Sequence, residues 1–170
     1  MALIVLLSIA IHTELYAFYV PIFAHSIGLS ASTIGVILGS YATAVFLSRF
    51  MLPALLRRLR PEQLMFASML FAALAFAIFP LLRDIYALLG TSFIIGLGTG
   101  CAQPLLMTLS YEKSPAGRTG EVTGLRLTAN NVARVSIPLL SGAIGVALGA
   151  APVFWMNALN LAVISYLSRK

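Results

Sequence analysis

Charged side chains are scarce in this sequence. Only 9% of the 170 residues are Asp, Glu, Lys or Arg, whereas 60% are hydrophobic, and the mean hydropathy is +0.98. Soluble domains carry about 25% charged residues. The composition therefore excludes an ordinary soluble domain and predicts an integral membrane protein.

Cysteine is almost absent as well, and the sequence has few features of an enzyme. Cys101 is the single cysteine and lies in an apolar run, which excludes a disulfide framework and a cysteine metal site and favours a small packing residue. No serine, cysteine or histidine stands in a hydrolase-like arrangement. Residues 96–100 read GLGTG, which is not the G-x-G-x-x-G of a nucleotide loop and is better explained by close helix packing. We therefore expect no enzyme activity, no cofactor and no bound metal.

What the sequence has instead is a series of apolar runs of about 20 residues, the length at which a helix crosses a bilayer. The breaks between them are short, and each carries the Gly, Pro, Ser or charge that ends a helix. We predict six transmembrane helices, at about residues 2–23, 31–56, 62–82, 85–111, 119–147 and 151–168.

The basic residues are unevenly distributed between the predicted loops. If the N-terminus is cytoplasmic, the outer loops hold only Arg83, and the cytoplasmic loops and tail hold Arg57, Arg58, Arg60, Lys113, Arg118, Arg169 and Lys170. Because Lys and Arg are retained on the cytoplasmic side, we expect both termini in the cytoplasm. The same argument explains the net charge of +6, so nucleic acid is not an expected partner.

The two halves of the chain resemble each other when it is aligned with itself at a shift of 85 residues. The matched pairs are Gly35 with Gly120, Gly39 with Gly124, Thr43 with Thr128, Ala44 with Ala129, Arg49 with Arg134, Pro53 with Pro138 and Leu55 with Leu140. We interpret this as an internal repeat, of about 1–84 and 85–170. The alternative is that both halves share the Gly-rich composition of closely packed membrane helices.

Each repeat holds three helices, an odd number, so the second repeat enters the membrane in the opposite sense to the first. Inverted repeats are typical of secondary transporters, in which binding sites lie near the middle of the bilayer where the repeats meet. The predicted fold is an all-α membrane domain of six helices arranged as two inverted three-helix repeats.

The run GLGTGCAQPLLMTLSYEKSPAGRTGEVTGLRLTANN, followed by IPLLSGAIG and GAAPVFW, resembles the C-terminal six-helix half of a bacterial major facilitator superfamily transporter. The resemblance covers nearly the whole chain. It implies transport of a small solute by alternating access across a bacterial inner membrane. Because that family's complete fold has twelve helices, it also implies a second six-helix half, which would be a separate chain, a missing N-terminal half or a second copy of this chain.

The family's cytoplasmic loop between the second and third helices of a half typically reads like G-x-L-A-D-R-x-G-R-R. Here LLRRLRPEQ stands in its place. Arg57 replaces the Asp, Arg58 matches the basic position and Arg60 replaces a Gly. We expect Arg57 and Arg58 to be structural or gating residues, and the family's charge-relay role is not carried over to this loop.

Glu14 lies within the first apolar run, where an ionised carboxylate costs at least about 2.5 kcal/mol. Burial favours the protonated form of a carboxylate, which makes Glu14 a candidate proton carrier. The alternative is that Glu14 pairs with an arginine and holds helices together. The resemblance implies that the first and fourth helices line the transport cavity, which adds Tyr16, Tyr19 and Gln103 as candidate substrate or proton residues.

The fifth predicted helix carries a polar stripe. Arg126, Asn130 and Arg134 are spaced four apart and share one helix face, which cannot face lipid. We expect Arg126 to dock the second half or to pair with an acidic residue. Asn130 and Arg134 have two open interpretations, as solute-binding residues or as docking residues. Arg49, the repeat partner of Arg134, is a structural or gating candidate.

Two functions follow from these patterns. The first is secondary transport of a small solute, with proton-coupled efflux as its finer form. The second is a six-helix membrane scaffold or assembly subunit that transports nothing, in which the polar stripe is only a docking face.

Overall fold

The computed structural model describes residues 2–112 and 119–168, and every regular element in these ranges is helical. The elements are α1 (Ala2–Ser26), α2 (Ala31–Leu56), α3 (Pro61–Ile78), a 3-10 turn (Phe79–Leu81), α4 (Ile85–Glu112), α5 (Thr119–Leu148) and α6 (Ala150–Ser168). These bounds confirm the six helices predicted from the sequence. The basic residues Lys113, Arg118, Arg169 and Lys170 lie outside the described residues.

The predicted ends differ most from the observed ones at α1 and α3. Helix α1 continues to Ser26, where Gly28 closes it with a φ of 84°, a backbone conformation that favours glycine. The amides of Gly28 and Leu29 donate to carbonyls of the last turn, at 3.0 and 3.1 Å. Helix α3 ends at Ile78 and tightens into the 3-10 turn that contains Pro80, because a proline has no N–H for the next helical hydrogen bond.

Residues in the short breaks between the helices explain where α2, α3 and α4 begin. The Oγ of Ser30 accepts a hydrogen bond from the amide of Thr33 at 3.2 Å before α2. The Oδ2 of Asp84 accepts one from the amide of Ala87 at 3.1 Å at the start of α4. Pro61 occupies the first position of α3, where its missing N–H has no helical partner to lose.

Three helices of the described part are long and apolar enough to cross a membrane, namely Ala31–Leu56, Pro61–Leu81 and Ile85–Leu105, and Ala151–Val163 is a shorter apolar helix. Large apolar side chains point outward from the bundle, among them Phe50 of α2 and Phe71 of α3. Exposed apolar surface on this scale is typical of a surface covered by lipid or by protein. The chain is an integral membrane protein.

The main helix contacts join helices of the first three to helices of the last three. Helix α2 packs extensively on α4, and α1 packs on α5. These two pairs correspond to each other when α1, α2 and α3 are matched with α4, α5 and α6. Helix α3 also packs on α4, and its counterpart α6 packs on α1, while α3 and α6 meet each other. This pattern is the one expected of inverted three-helix repeats. The repeat bounds of 1–84 and 85–170 stay a prediction.

Two glycines of α4 allow close contact with the backbones of α2 and α3. A Cβ on Gly96 would lie 2.5 Å from the backbone oxygen of Tyr41 in α2, and one on Gly98 would lie 2.5 Å from that of Ser68 in α3. Close packing is therefore confirmed as the explanation of GLGTG. The repeated glycines on α2 and α5 differ, because no described atom lies within 4 Å of a Cβ built there; they are Gly35, Gly39, Gly120 and Gly124.

Candidate functional site

Glu14 and Arg134 form an ion pair that joins α1 to α5. The Nε of Arg134 donates to the Oε1 of Glu14 at 3.0 Å. Glu14 is the 13th of the 25 residues of α1, and Arg134 is the 16th of the 30 residues of α5, so the pair lies near the middle of both helices. The side chain of Glu14 is 20% exposed and that of Arg134 is 66% exposed. Glu14 therefore has the arginine partner that the sequence analysis offered as one alternative.

A polar cavity of about 310 Å³ lies between α1, α2 and α4. Five of its eight lining residues carry a polar or charged side chain, and these five are Thr13, Tyr41, Arg49, Thr99 and Gln103. Arg49 is the only charged residue among them. The cavity thus brings together Arg49 and Gln103, two residues that the sequence analysis had singled out on different helices.

The wall of this cavity is tightly packed. The Oγ1 of Thr99 lies 3.3 Å from the hydroxyl of Tyr41, and the Tyr41 ring stacks on Tyr16 with centroids 4.0 Å apart. A Cβ on Gly100 would overlap the hydroxyl of Ser48 and would lie 2.9 Å from the Cα of Val45. Helices α2 and α4 are therefore held together at the cavity, and the polar side chains project from a rigid wall.

Three of the five polar lining residues were not candidates from the sequence, namely Thr13, Tyr41 and Thr99. Two spacings could have revealed Tyr41 and Thr99. Thr99 and Gln103 are four residues apart, and Tyr41 and Arg49 are eight apart, so each pair shares a helix face. A threonine or tyrosine alone carries little signal, because Thr commonly bonds to its own helix, as Thr99 does to the carbonyl of Ile95 at 2.8 Å.

Tyr16 and Tyr19 lie in the core of the bundle. Tyr16 packs edge-on against Phe76, and Tyr19 packs edge-on against Phe154. The hydroxyl of Tyr19 abuts Gly145 of α5. Neither tyrosine lines the polar cavity, although Tyr16 lies directly behind Tyr41. Their proposed part in binding a solute or a proton stays a prediction.

The remaining candidate residues lie at the turn between α2 and α3 and on α5. Arg57 and Arg58 are exposed at the turn between α2 and α3. Asn130 is half-buried on α5, one turn before Arg134. The side chain of Arg126 is outside the part of the chain that the structure describes, so its expected docking or pairing role stays a prediction.

Comparison with known proteins adds one positive finding. The family model described as Major Facilitator Superfamily matches residues 1–168. No protein of curated function matches the chain. The match covers both repeats, the polar cavity and both members of the ion pair. The chain therefore belongs to the Major Facilitator Superfamily, a family of secondary transporters.

Proposed function

We propose that this chain is one half of a twelve-helix transporter that moves a small polar solute by alternating access. The observation that carries this proposal is the polar cavity between α1, α2 and α4. Its volume of about 310 Å³ falls at the small end of ligand sites, which span about 300–1,000 Å³. Arg49 contributes a positive charge and no lining residue is acidic, so a neutral or anionic solute fits better than a cation.

The ion pair supports coupling of transport to protons. Glu14 belongs to the first repeat and Arg134 to the second, so their contact links two units that would move against each other. Protonation of Glu14 would remove the charge that holds Arg134. A contact that exists in one state and is lost in another is what a conformational switch requires.

The surface of α2 and α5 supports a second six-helix half. Each of these helices presents a pair of exposed glycines four residues apart, a spacing that lets membrane helices approach closely. Arg134 is largely exposed near the middle of α5, where an arginine needs protein or water around it. A second six-helix half would pack against the exposed glycines and would surround Arg134 with protein or water. It would be a separate chain, a preceding segment of a longer protein or a second copy.

Substitution of Gln103 tests the cavity as the solute site. We expect Gln103→Ala to lower kcat/KM for solute uptake about tenfold, the effect of losing one hydrogen bond worth about 1.4 kcal/mol. The assembled transporter is reconstituted in proteoliposomes, and uptake is measured for the solute that the unsubstituted protein accumulates best from a panel of neutral and anionic compounds.

Gln63→Ala is the matched control, because Gln63 lies at the exposed start of α3 and bonds only to the amide of Arg60 at 3.4 Å among the contacts described. Equal uptake by both variants would reject the cavity as the solute site. Absence of flux for every compound, with the second half present, would favour a membrane scaffold.

We also propose a bacterial inner membrane location with both termini in the cytoplasm, because residues 57–60 hold three arginines and residues 82–84 hold one. With Cys101 replaced by Ala, we expect a membrane-impermeant maleimide to label Asp84→Cys in intact cells. Arg60→Cys should react only after permeabilisation. The reverse pattern would place the termini outside.

A further inference from the structure

A second cavity, of about 420 Å³, lies between α1, α5 and α6. It shares no lining residue with the polar cavity. Six of its nine lining residues are apolar, and none is ionisable. Leu140 and Met156 line it and are 61% and 58% exposed, so the cavity opens sideways between α5 and α6, on a surface that lipid would cover.

The unusual member of this cavity is Asn157. Its side chain is 1% exposed, and neither its Oδ1 nor its Nδ2 has a hydrogen-bond partner among the described residues. A buried amide without partners is costly, and it is most costly inside a bilayer, where water cannot replace the missing partner. The amide therefore points to a molecule that supplies both a donor and an acceptor.

Other polar groups of the cavity extend this site. Asn160 lies three residues after Asn157, on the same face of α6, and also lines the cavity. The hydroxyl of Ser141 donates to the carbonyl of Ile137 at 2.6 Å, which leaves its oxygen able to accept a further bond. A few placed polar groups within an apolar wall are typical of sites for small molecules.

We propose that this cavity binds a neutral amphiphile from the lipid phase, at a site separate from the solute cavity. The apolar body packs between α5 and α6. The head group is an alcohol or a primary amide, which donates to the Oδ1 of Asn157 and accepts from its Nδ2. A charged head group is disfavoured, because no lining residue can neutralise it.

Photolabelling of the purified chain in a lipid nanodisc tests this site. The probe is a diazirine alkanol, and the corresponding diazirine alkane is the control. We expect the alkanol to label peptides of residues 137–160. Labelling should fall at least fivefold in Asn157→Leu and should be unchanged in Asn131→Leu, which alters an exposed asparagine of α5 outside the cavity. Equal labelling by the alkane, or full labelling of Asn157→Leu, would overturn the proposal.

Thermal unfolding gives a second measurement that does not depend on labelling. We expect the alkanol to raise the melting temperature of the unsubstituted chain and of Asn131→Leu, and to leave that of Asn157→Leu unchanged. An equal rise in all three proteins would overturn the proposal.

A competition experiment against the photolabelling probe then identifies the source of the ligand. Displacement of the probe by hydroxyl-bearing membrane lipid assigns the site to a lipid, and displacement only by free alkanol assigns it to a smaller amphiphile.

Discussion

Glu14→Gln is expected to abolish accumulation of solute driven by a pH gradient. The substitution removes the carboxylate that would take up and release the proton, while a glutamine oxygen can still accept a hydrogen bond from Arg134. Exchange of solute across the membrane, which needs no net proton movement, should continue. The two activities are measured on the same proteoliposomes, with an imposed pH gradient and by counterflow.

Glu62→Gln is the matched control, because Glu62 is exposed in the first turn of α3. It should accumulate solute as the unsubstituted protein does. Accumulation that is undiminished in Glu14→Gln would remove Glu14 from the coupling mechanism and leave it a purely structural partner of Arg134.

The stability of Glu14→Gln distinguishes a role of Glu14 in proton coupling from a purely structural role. Removing one member of a fully buried ion pair costs about 3–5 kcal/mol. Glu14→Gln costs less, because the glutamine oxygen can still accept a hydrogen bond from Arg134. We therefore expect Glu14→Gln to remain folded, so that a loss of accumulation reflects coupling and not unfolding.

The second large effect is expected at Gly98. A leucine there would place its Cβ 2.5 Å from the backbone oxygen of Ser68 and 3.1 Å from the Cβ of Ala72, with three further carbons beyond. Backbone atoms of α3 cannot move aside as the end of a flexible side chain can. We expect Gly98→Leu to lower the free energy of unfolding by about 3 kcal/mol or more, measured by denaturation in a mild detergent.

Gly39→Leu is the comparison, because no described atom lies within 4 Å of a Cβ at Gly39. The chain alone should keep its stability. Native mass measurement should instead show less of the twelve-helix assembly, since a leucine would keep the second half away from α2. Equal destabilisation of the isolated chain by both leucines would contradict the proposed docking face.

Much of the fold could be predicted from the sequence. Helix positions follow from apolar runs and polar breaks, and these depend on residues close together in the chain. The exposed and buried glycines could not be distinguished. GLGTG and the pair Gly35 and Gly39 have similar local patterns, yet only the first meets another helix of this chain. Which helix lies opposite a given face is decided by packing between distant segments.

The candidate site was predicted only in part for the same reason. The sequence placed Glu14, Gln103 and Arg134 within spans, where charge and amide groups are conspicuous. It could not show that Arg134 reaches Glu14 and that Arg49 reaches a different group of residues. Asn157 was not singled out, because one asparagine in an apolar helix reveals neither its burial nor its lack of a partner.

The shift of 85 residues that relates Arg49 to Arg134 also relates Glu14 to Thr99. The ion pair of α1 and α5 thus has a counterpart in the polar cavity, where Arg49 and Thr99 both lie. The first copy holds its own anion, Glu14. In the second copy a threonine stands in the place of the glutamate, and Arg49 has no acidic partner among the described residues. For the solute proposed above, a carboxylate or phosphate group would supply the anion that this second copy lacks.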